Sequence, residues 1–370
     1  ISADSAVTSD PQLATDTPYH MRAAQPAFVA WLRTGDLALG DLLTDWMDTW
    51  VDATRSSACG KPSGIIPAGI HWPDGQPCGA GADWWQPMNH PPEPSLYRWP
   101  SAISYVLDGL LMSHHMTGED KYLSPVRSMV GIYRMHHTAA DPRPGSEGWA
   151  ARQLGADEST GAGVGSQLEN GLAKYRSVTG DTRFDSLLTA AGGYAAYRIS
   201  GDRAQLAEAL RPSAQAVRQN WEAYTSEVRW TDRVLNLPAQ WMSRYAPGYQ
   251  ETPDTDLLFN MVTGNTGQPH LFPTSAVRWL TPPEDVAALV TAADAGQFSA
   301  ELFHFGTEPR PMTAEFYLLD SGEYELSFQA IDGDAPEVLE ETTVEIAGPR
   351  SRVEFELPPR RLCRVEIEAL

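Results

Sequence analysis

Apolar positions recur at helical spacing through the first two thirds of the chain and alternate through the last third. Leu39, Leu43, Trp46, Met47 and Trp50 share one helix face. Ile103, Val106, Leu107, Leu110 and Leu111 share a second, and Val126, Met129, Val130 and Tyr133 a third. The spacing predicts helices near 23–33, 36–55, 101–116, 120–137, 166–178, 181–199 and 202–226, with a short one near 254–263. Four signals punctuate them: TGDLAL (34–39), TGEDKYL (117–123), TGDTRF (179–184) and SGDRAQL (200–206). In each, Gly suits the left-handed residue that ends one helix, and the Asp that follows suits the cap of the next. Consecutive helices are therefore read as antiparallel hairpins.

From residue 270 the pattern changes. AVRWL, FSAELFHFG, MTAEFYLLD, GEYELSFQAI, TTVEIAG and SRVEFELPP…LCRVEIEAL alternate apolar and polar residues between turn signals. That predicts an antiparallel β-sandwich. The expected fold class is α+β, multidomain: a helical-hairpin domain over 1–265 and a β-sandwich domain over 270–370. TGNTGQPHLFP (263–273) is the expected junction.

The stretch 64–100 fits neither period, yet it holds four of the twelve tryptophans: Trp72, Trp84, Trp85 and Trp99. In a hairpin array the loops 56–100 and 138–165 emerge at one end, opposite the turns at 34–36, 117–120 and 179–181. Long loops in compact domains are usually functional or disordered, and the Trp and Pro content of 56–100 argues against disorder. The two loops are expected to wall a cleft. Trp72, Trp84, Trp85 and Trp99 would line it, with Arg98, Tyr105, Tyr133 and Asn170 as further substrate contacts and Gln167 nearby. The alternative is that the tryptophans form the loop's own small core. A disulfide between Cys59 and Cys78 would staple this loop, an effect of about 3 kcal/mol in the chain-entropy picture. Two free thiols are the alternative.

Charge and termini narrow the functions. The 370-residue chain carries a net charge of −21. That disfavours a nucleic-acid partner, which needs clustered Lys and Arg. It also counts against a polyanionic substrate unless Arg55, Lys61, Arg98, Arg134, Arg143 and Arg152 make the rim locally basic. No apolar run is long enough to predict a membrane span. The start, ISADSAVTSD, lacks the basic and apolar regions of a signal peptide. It reads as the mature or trimmed start of a secreted or periplasmic chain.

The helical-hairpin turns, the Trp-rich rim loop and the FSAELFHFG…MTAEFYLLDSGEYELSF strands together resemble the α/α-toroid carbohydrate-active enzymes. These include toroid polysaccharide lyases and toroid glycoside hydrolases. The resemblance is one of architecture over most of the chain, without a family-defining motif. It implies a polysaccharide or oligosaccharide substrate and, in the lyases, chemistry carried by Asn, His, Tyr and Arg. A full toroid has more hairpins than this chain supplies, so a partial toroid or a piece of a longer chain is expected.

A lyase removes the proton α to a uronate carboxyl. It needs a base, an acid and donors that neutralise the carboxylate. His71, Asn89, His90, Tyr97, Arg134 and His137 supply those types on the expected rim, although each His could instead brace a loop. A glycosidase needs two carboxyls, about 5–5.5 Å apart for retention or about 6.5–9.5 Å for inversion. Asp74, Asp83 and Glu93, with Asp157, Glu158 and Glu169 nearby, are the candidates; in so acidic a chain each could be a solvated acid. Asp108, in apolar SYVLDGLLM, is expected to be buried in an interhelical hydrogen bond. His114 and His115 fall at the opposite end. The residues assign no definite cofactor; His71 and Asp74 with His90 or His137 could hold a divalent ion. No phosphate loop, GxSxG or HExxH occurs. A β-eliminating lyase acting on a uronate-containing glycan is the first expectation. A glycoside hydrolase is the second, and a non-catalytic glycan-binding or structural protein the third.

Overall fold

The structure is a computed structural model that describes residues 14–78, 83–86, 99–138, 143–155, 165–188, 193–219, 255–269, 274–282 and 284–370. It has the α+β layout: helices come first and antiparallel sheets follow. The helices are α1 (Met21–Thr34), α2 (Leu37–Arg55), α3 (Ile103–Thr117), α4 (Ser124–His136), α5 (Glu147–Gln153), α6 (Ser166–Thr179), α7 (Gly193–Ser200), α8 (Arg203–Gln219) and α9 (Thr255–Thr263). No helix among the described residues is long and apolar enough to cross a membrane.

The hairpin turns form as the local chemistry requires. Gly35, Gly118, Gly180 and Gly201 all take positive φ, between 68° and 72°, which side chains with a Cβ disfavour. Asp36 caps α2 by accepting from Leu39 N at 3.0 Å, and Asp202 accepts from Ala204 N and Gln205 N. Asp120 and Asp181 do not act as caps of this kind. Asp120 pairs with Arg127, and Asp181 accepts from the Tyr175 hydroxyl and the Arg183 backbone.

Those contacts also change the expected helix over 181–199. Asp185 is tied back to Arg176 of α6 at 2.8 Å, and among the described residues before α7 the segment forms a short 3₁₀ turn (Asp185–Leu187). The helix expected over 202–226 is described only to Gln219. Helix α5, inside the expected loop 138–165, is an addition, capped by Ser146 accepting from Trp149 N.

Two short strands, β1 (Thr15–Asp16) and β2 (Ile70–His71), pair near the N-terminus. Eight more form two sheets: β3 (Val277–Trp279), β4 (Val286–Ala293), β5 (Gln297–His304), β6 (Arg310–Phe316), β7 (Gly322–Ala330), β8 (Glu337–Ile346), β9 (Ser351–Leu357) and β10 (Leu362–Ala369). Their orders are β4-β5-β10-β7-β8 and β3-β6-β9, with antiparallel ladders. Alternation puts Phe298, Ala300 and Leu302, and likewise Val353, Phe355 and Leu357, on inward faces. Phe298 meets Phe316, and Phe328 meets Phe355, across the sandwich.

The described residues build two apolar cores. One joins α1–α6 with the rim loop; the other joins the sandwich with Tyr194, Tyr197, Leu206 and Leu257 from α7, α8 and α9. Polar ties cross between helices and strands: Tyr194 Oη donates to Val290 O, Arg203 pairs with Glu301, and Arg350 donates to Leu32 O. Helices α7–α9 thus lean on the sandwich, which leaves a seam against α6.

Candidate functional site

The described parts of the two long loops meet at one end of the helices. Trp84 Nε1 donates to Gly145 O at 3.1 Å, Trp85 lies against Gly145, and Trp99 and Trp149 rings are 5.5 Å apart. At the other end Gly35, Thr117 and Glu119 line one crevice, and Arg127 links Asp120 to Tyr175, whose hydroxyl binds Asp181.

The rim differs from the expected cleft. Trp84 and Trp99 are 0% and 2% exposed; Trp84 packs edge-on against Trp85, Trp99 and Trp149, and Trp99 lies tilted against Trp149. Trp99 Nε1 donates to Ile66 O. The indoles bury most area by packing on one another and on the loop's Ile65 and Ile66, which share their apolar cluster. Trp84 and Trp99 are therefore loop core and offer no open face to a sugar. Trp85 is half-buried in the same cluster. Trp72 alone of the four is widely exposed, at 57%.

Cys59 and Cys78 are joined by a disulfide, and Cys363 is buried and free. One free thiol per chain is expected on denaturation without reductant, three after reduction, counted with a thiol reagent. Next to the bridge, Lys61 is not a rim cation. Its buried Nζ donates to Thr54 O, Pro62 O and Ile65 O, tying the loop to the end of α2, and burial pushes its pKa down to about 7.

The other rim candidates are variously engaged. Arg134 turns away, donating to Arg183 O and lying over the Phe184 ring. His137 stacks on Tyr133 at 4.9 Å, with Nδ1 on Tyr133 O. Tyr105 packs near Tyr19, and Gln167 bridges to Ser104. His71 is held through Nδ1 by Asp74 Oδ1 at 2.8 Å, an interaction that pulls the Asp74 carboxyl below its ordinary value. His71 Nε2 is buried with no partner among the described residues. Asp83 lies in a bend beside Trp84. Asn89, His90, Glu93, Tyr97, Arg98, Asp157 and Glu158 lie outside the described residues. Among the described residues no group of three or more His, Cys, Asp or Glu is placed to hold a metal ion.

A pocket of about 360 Å³ lies in the seam. Its walls are the start of α6 (Ser166, Glu169, Asn170, Ala173), the start of α7 (Gly193–Ala195), Ala209, α9 (Asp256, Leu257, Asn260) and the turn 266–268. Glu169 and Asp256 sit in the first turns of their helices. Burial raises the Glu169 carboxyl above its ordinary value. Beneath the pocket Asp108 and Lys174 form a buried ion pair, Nζ to Oδ2 2.7 Å. This is the interhelical contact expected of Asp108, made across α3 and α6. Asn170 lines the pocket, but its amide is used on protein groups: Nδ2 donates to Asp108 Oδ1, and Oδ1 accepts from Gln268 N. Asn170 therefore braces the wall instead of presenting its amide to a substrate. Sequence reasoning singled out Glu169 and Asn170 but not Asp256, Asn260 or the 266–268 turn. The Asn-Thr-Gly run at 265–267 was the available signal, since such residues bond to nearby backbone.

Neither a protein-family model nor a curated protein sequence matches the chain. Partial likenesses to solved structures exist. A Paenibacillus polymyxa xyloglucanase of glycoside hydrolase family 44 aligns at 7% identity over 24% of this chain and 18% of its own, TM-score 0.20. A candidate α-N-acetylgalactosaminidase from Bacillus halodurans aligns at 16% identity over 26% of this chain and 21% of its own, TM-score 0.17. A β-arabinopyranosidase aligns at 14% identity over 32% of this chain and 19% of its own, TM-score 0.18. The matched part thus spans about a fifth of the length of each of these proteins.

Proposed function

We propose that the protein is a glycan-degrading enzyme, of hydrolytic type, with its site in the seam pocket. The observation that carries this reading is that two carboxyls line one recess: Glu169, with its proton affinity raised by burial, and Asp256. Glycoside hydrolysis needs a carboxylic acid that keeps its proton for the leaving oxygen and a second carboxyl as base or nucleophile. Glu169 is assigned the first role and Asp256 the second. The recess is at the small end of ligand sites, which run about 300–1,000 Å³, and suits one end of a glycan chain. The helical-hairpin and sandwich architecture agrees with the α/α-toroid resemblance, and the disulfide agrees with a secreted or periplasmic setting. The two regions, 1–265 and 270–370, are proposed as domains.

A second reading, β-elimination on a uronate glycan at the rim, is favoured by His71. Its Nδ1 is oriented by Asp74, and its Nε2 is unpartnered among the described residues, the arrangement of an oriented base. Incubation with neutral glycans (xyloglucan, arabinan, galactan) and uronate glycans (alginate, glucuronan, chondroitin) separates the two. New reducing ends without ultraviolet absorbance are expected. Rising absorbance from a new C4=C5 bond would overturn hydrolysis in favour of the rim. Binding of a glycan without cleavage would leave a recognition module.

A further inference from the structure

The 266–268 turn is the pocket wall that touches both carboxyl-bearing helices. On the α6 side, Gln268 N donates to Asn170 Oδ1 at 2.6 Å and Thr266 Oγ1 donates to Ala173 O at 2.7 Å. On the α9 side, Gly267 O accepts from Asn260 Nδ2 at 2.9 Å and from Asn265 Nδ2 at 2.7 Å. Asn170 follows Glu169 in sequence, and Asn260 lies one helical turn after Asp256. The turn therefore ties the neighbour of one carboxyl to the neighbour of the other.

Only a carboxamide can make this tie at position 170. Asp108, fixed by Lys174, takes the amide's donor side, so the acceptor side faces Gln268 N. The fit is close: a Cβ on Gly267 would lie 2.5 Å from Asn170 Oδ1 and 2.6 Å from Lys174 Cε. The backbone approaches as near as a glycine permits.

We propose that Asn170, oriented by the Asp108–Lys174 pair, is a positioning residue: through Gln268 it holds the turn that sets the separation of Glu169 and Asp256. The role assigned to the two carboxyls rests on the hydrolytic reading; the tie itself does not. The test is native-state hydrogen exchange of the Gln268 amide on the full chain without ligand, alongside turnover of a glycan the protein cleaves. Asn170→Asp sets a carboxylate against Asp108 and should speed Gln268 exchange by about 10-fold or more, while the Leu172 amide stays protected. Asn170→Ser, which cannot span both partners, should do the same. The exchanged pair Asp108→Asn with Asn170→Asp keeps the charge and restores a donor between the two positions, so protection should return. In a cleaving protein kcat should fall by about 10-fold in Asn170→Asp with KM little changed, and recover in the exchanged pair. Unchanged Gln268 exchange in both single variants overturns the proposal, as does faster exchange with unaltered kcat. If exchange responds as expected and the wild-type protein cleaves no glycan, the tie stands and the hydrolytic reading fails.

Discussion

Replacing Glu169 with glutamine is expected to lower glycan turnover by about 10²–10⁴-fold, the usual size of a lost general acid, while leaving the fold intact. Glutamine keeps the shape of the side chain but has no transferable proton. Wild-type activity should decline as pH rises through the elevated Glu169 value, because the protonated fraction disappears there. Stability should move the other way between the two proteins. A carboxyl whose folded-state value is raised gives stability that is present below its unfolded value and lost as pH rises through the folded one. The variant has no such loss, so its melting temperature relative to wild type should be higher at pH 7 than at pH 4. Melts at the two pH values, with kcat/KM across the range, check both statements. Full turnover in the variant would remove Glu169 from the acid role and direct attention to His71.

The helical hairpins were legible because their determinants are local. A glycine at positive φ with a capping residue after it is written in four adjacent letters, as at Gly35 and Asp36. Where the sequence reading missed, contacts distant in sequence decided. The segment after Gly180 looked helical, but Asp181 and Asp185 are spent on Tyr175, Arg183 and Arg176. Strand β4 escaped notice because VAALVTAA is alanine-rich and does not alternate cleanly; β5 beside it supplies the ladder. Strand propensity reflects such neighbours more than the residue itself.

The site was less legible for a physical reason. Tryptophan serves equally as a sugar platform and as loop core, and composition cannot separate the two. Trp84 and Trp99 became core because Trp85 and Trp149 were there to receive them. The seam pocket draws on residues from 166 to 268 that no motif connects. Asp108 was the exception: a lone acid in an apolar helix must be paired inside, and Lys174 meets it there.

That pairing carries the largest stability effect expected of any single change. Lys174 Nζ and the Asp108 carboxylate are 2.7 Å apart, with side chains 0% and 3% exposed. Burial is the main influence on Lys174 and lowers its pKa, with the Asp108 charge opposing it. Lys174→Met nearly conserves volume, so little of the loss should come from a cavity. It takes the Lys174 countercharge away from a buried carboxylate, which should cost about 3–5 kcal/mol in urea unfolding at pH 7. The cost should shrink toward acid pH, where Asp108 can take up a proton and lose its charge. Adding Asp108→Asn to Lys174→Met removes both charges and should recover most of the loss, because replacing a buried pair by neutral groups of similar size is often close to neutral. The comparison separates charge from packing. If the single variant loses under about 1 kcal/mol, or the double variant loses as much as the single, an uncompensated buried charge is not what Lys174 prevents.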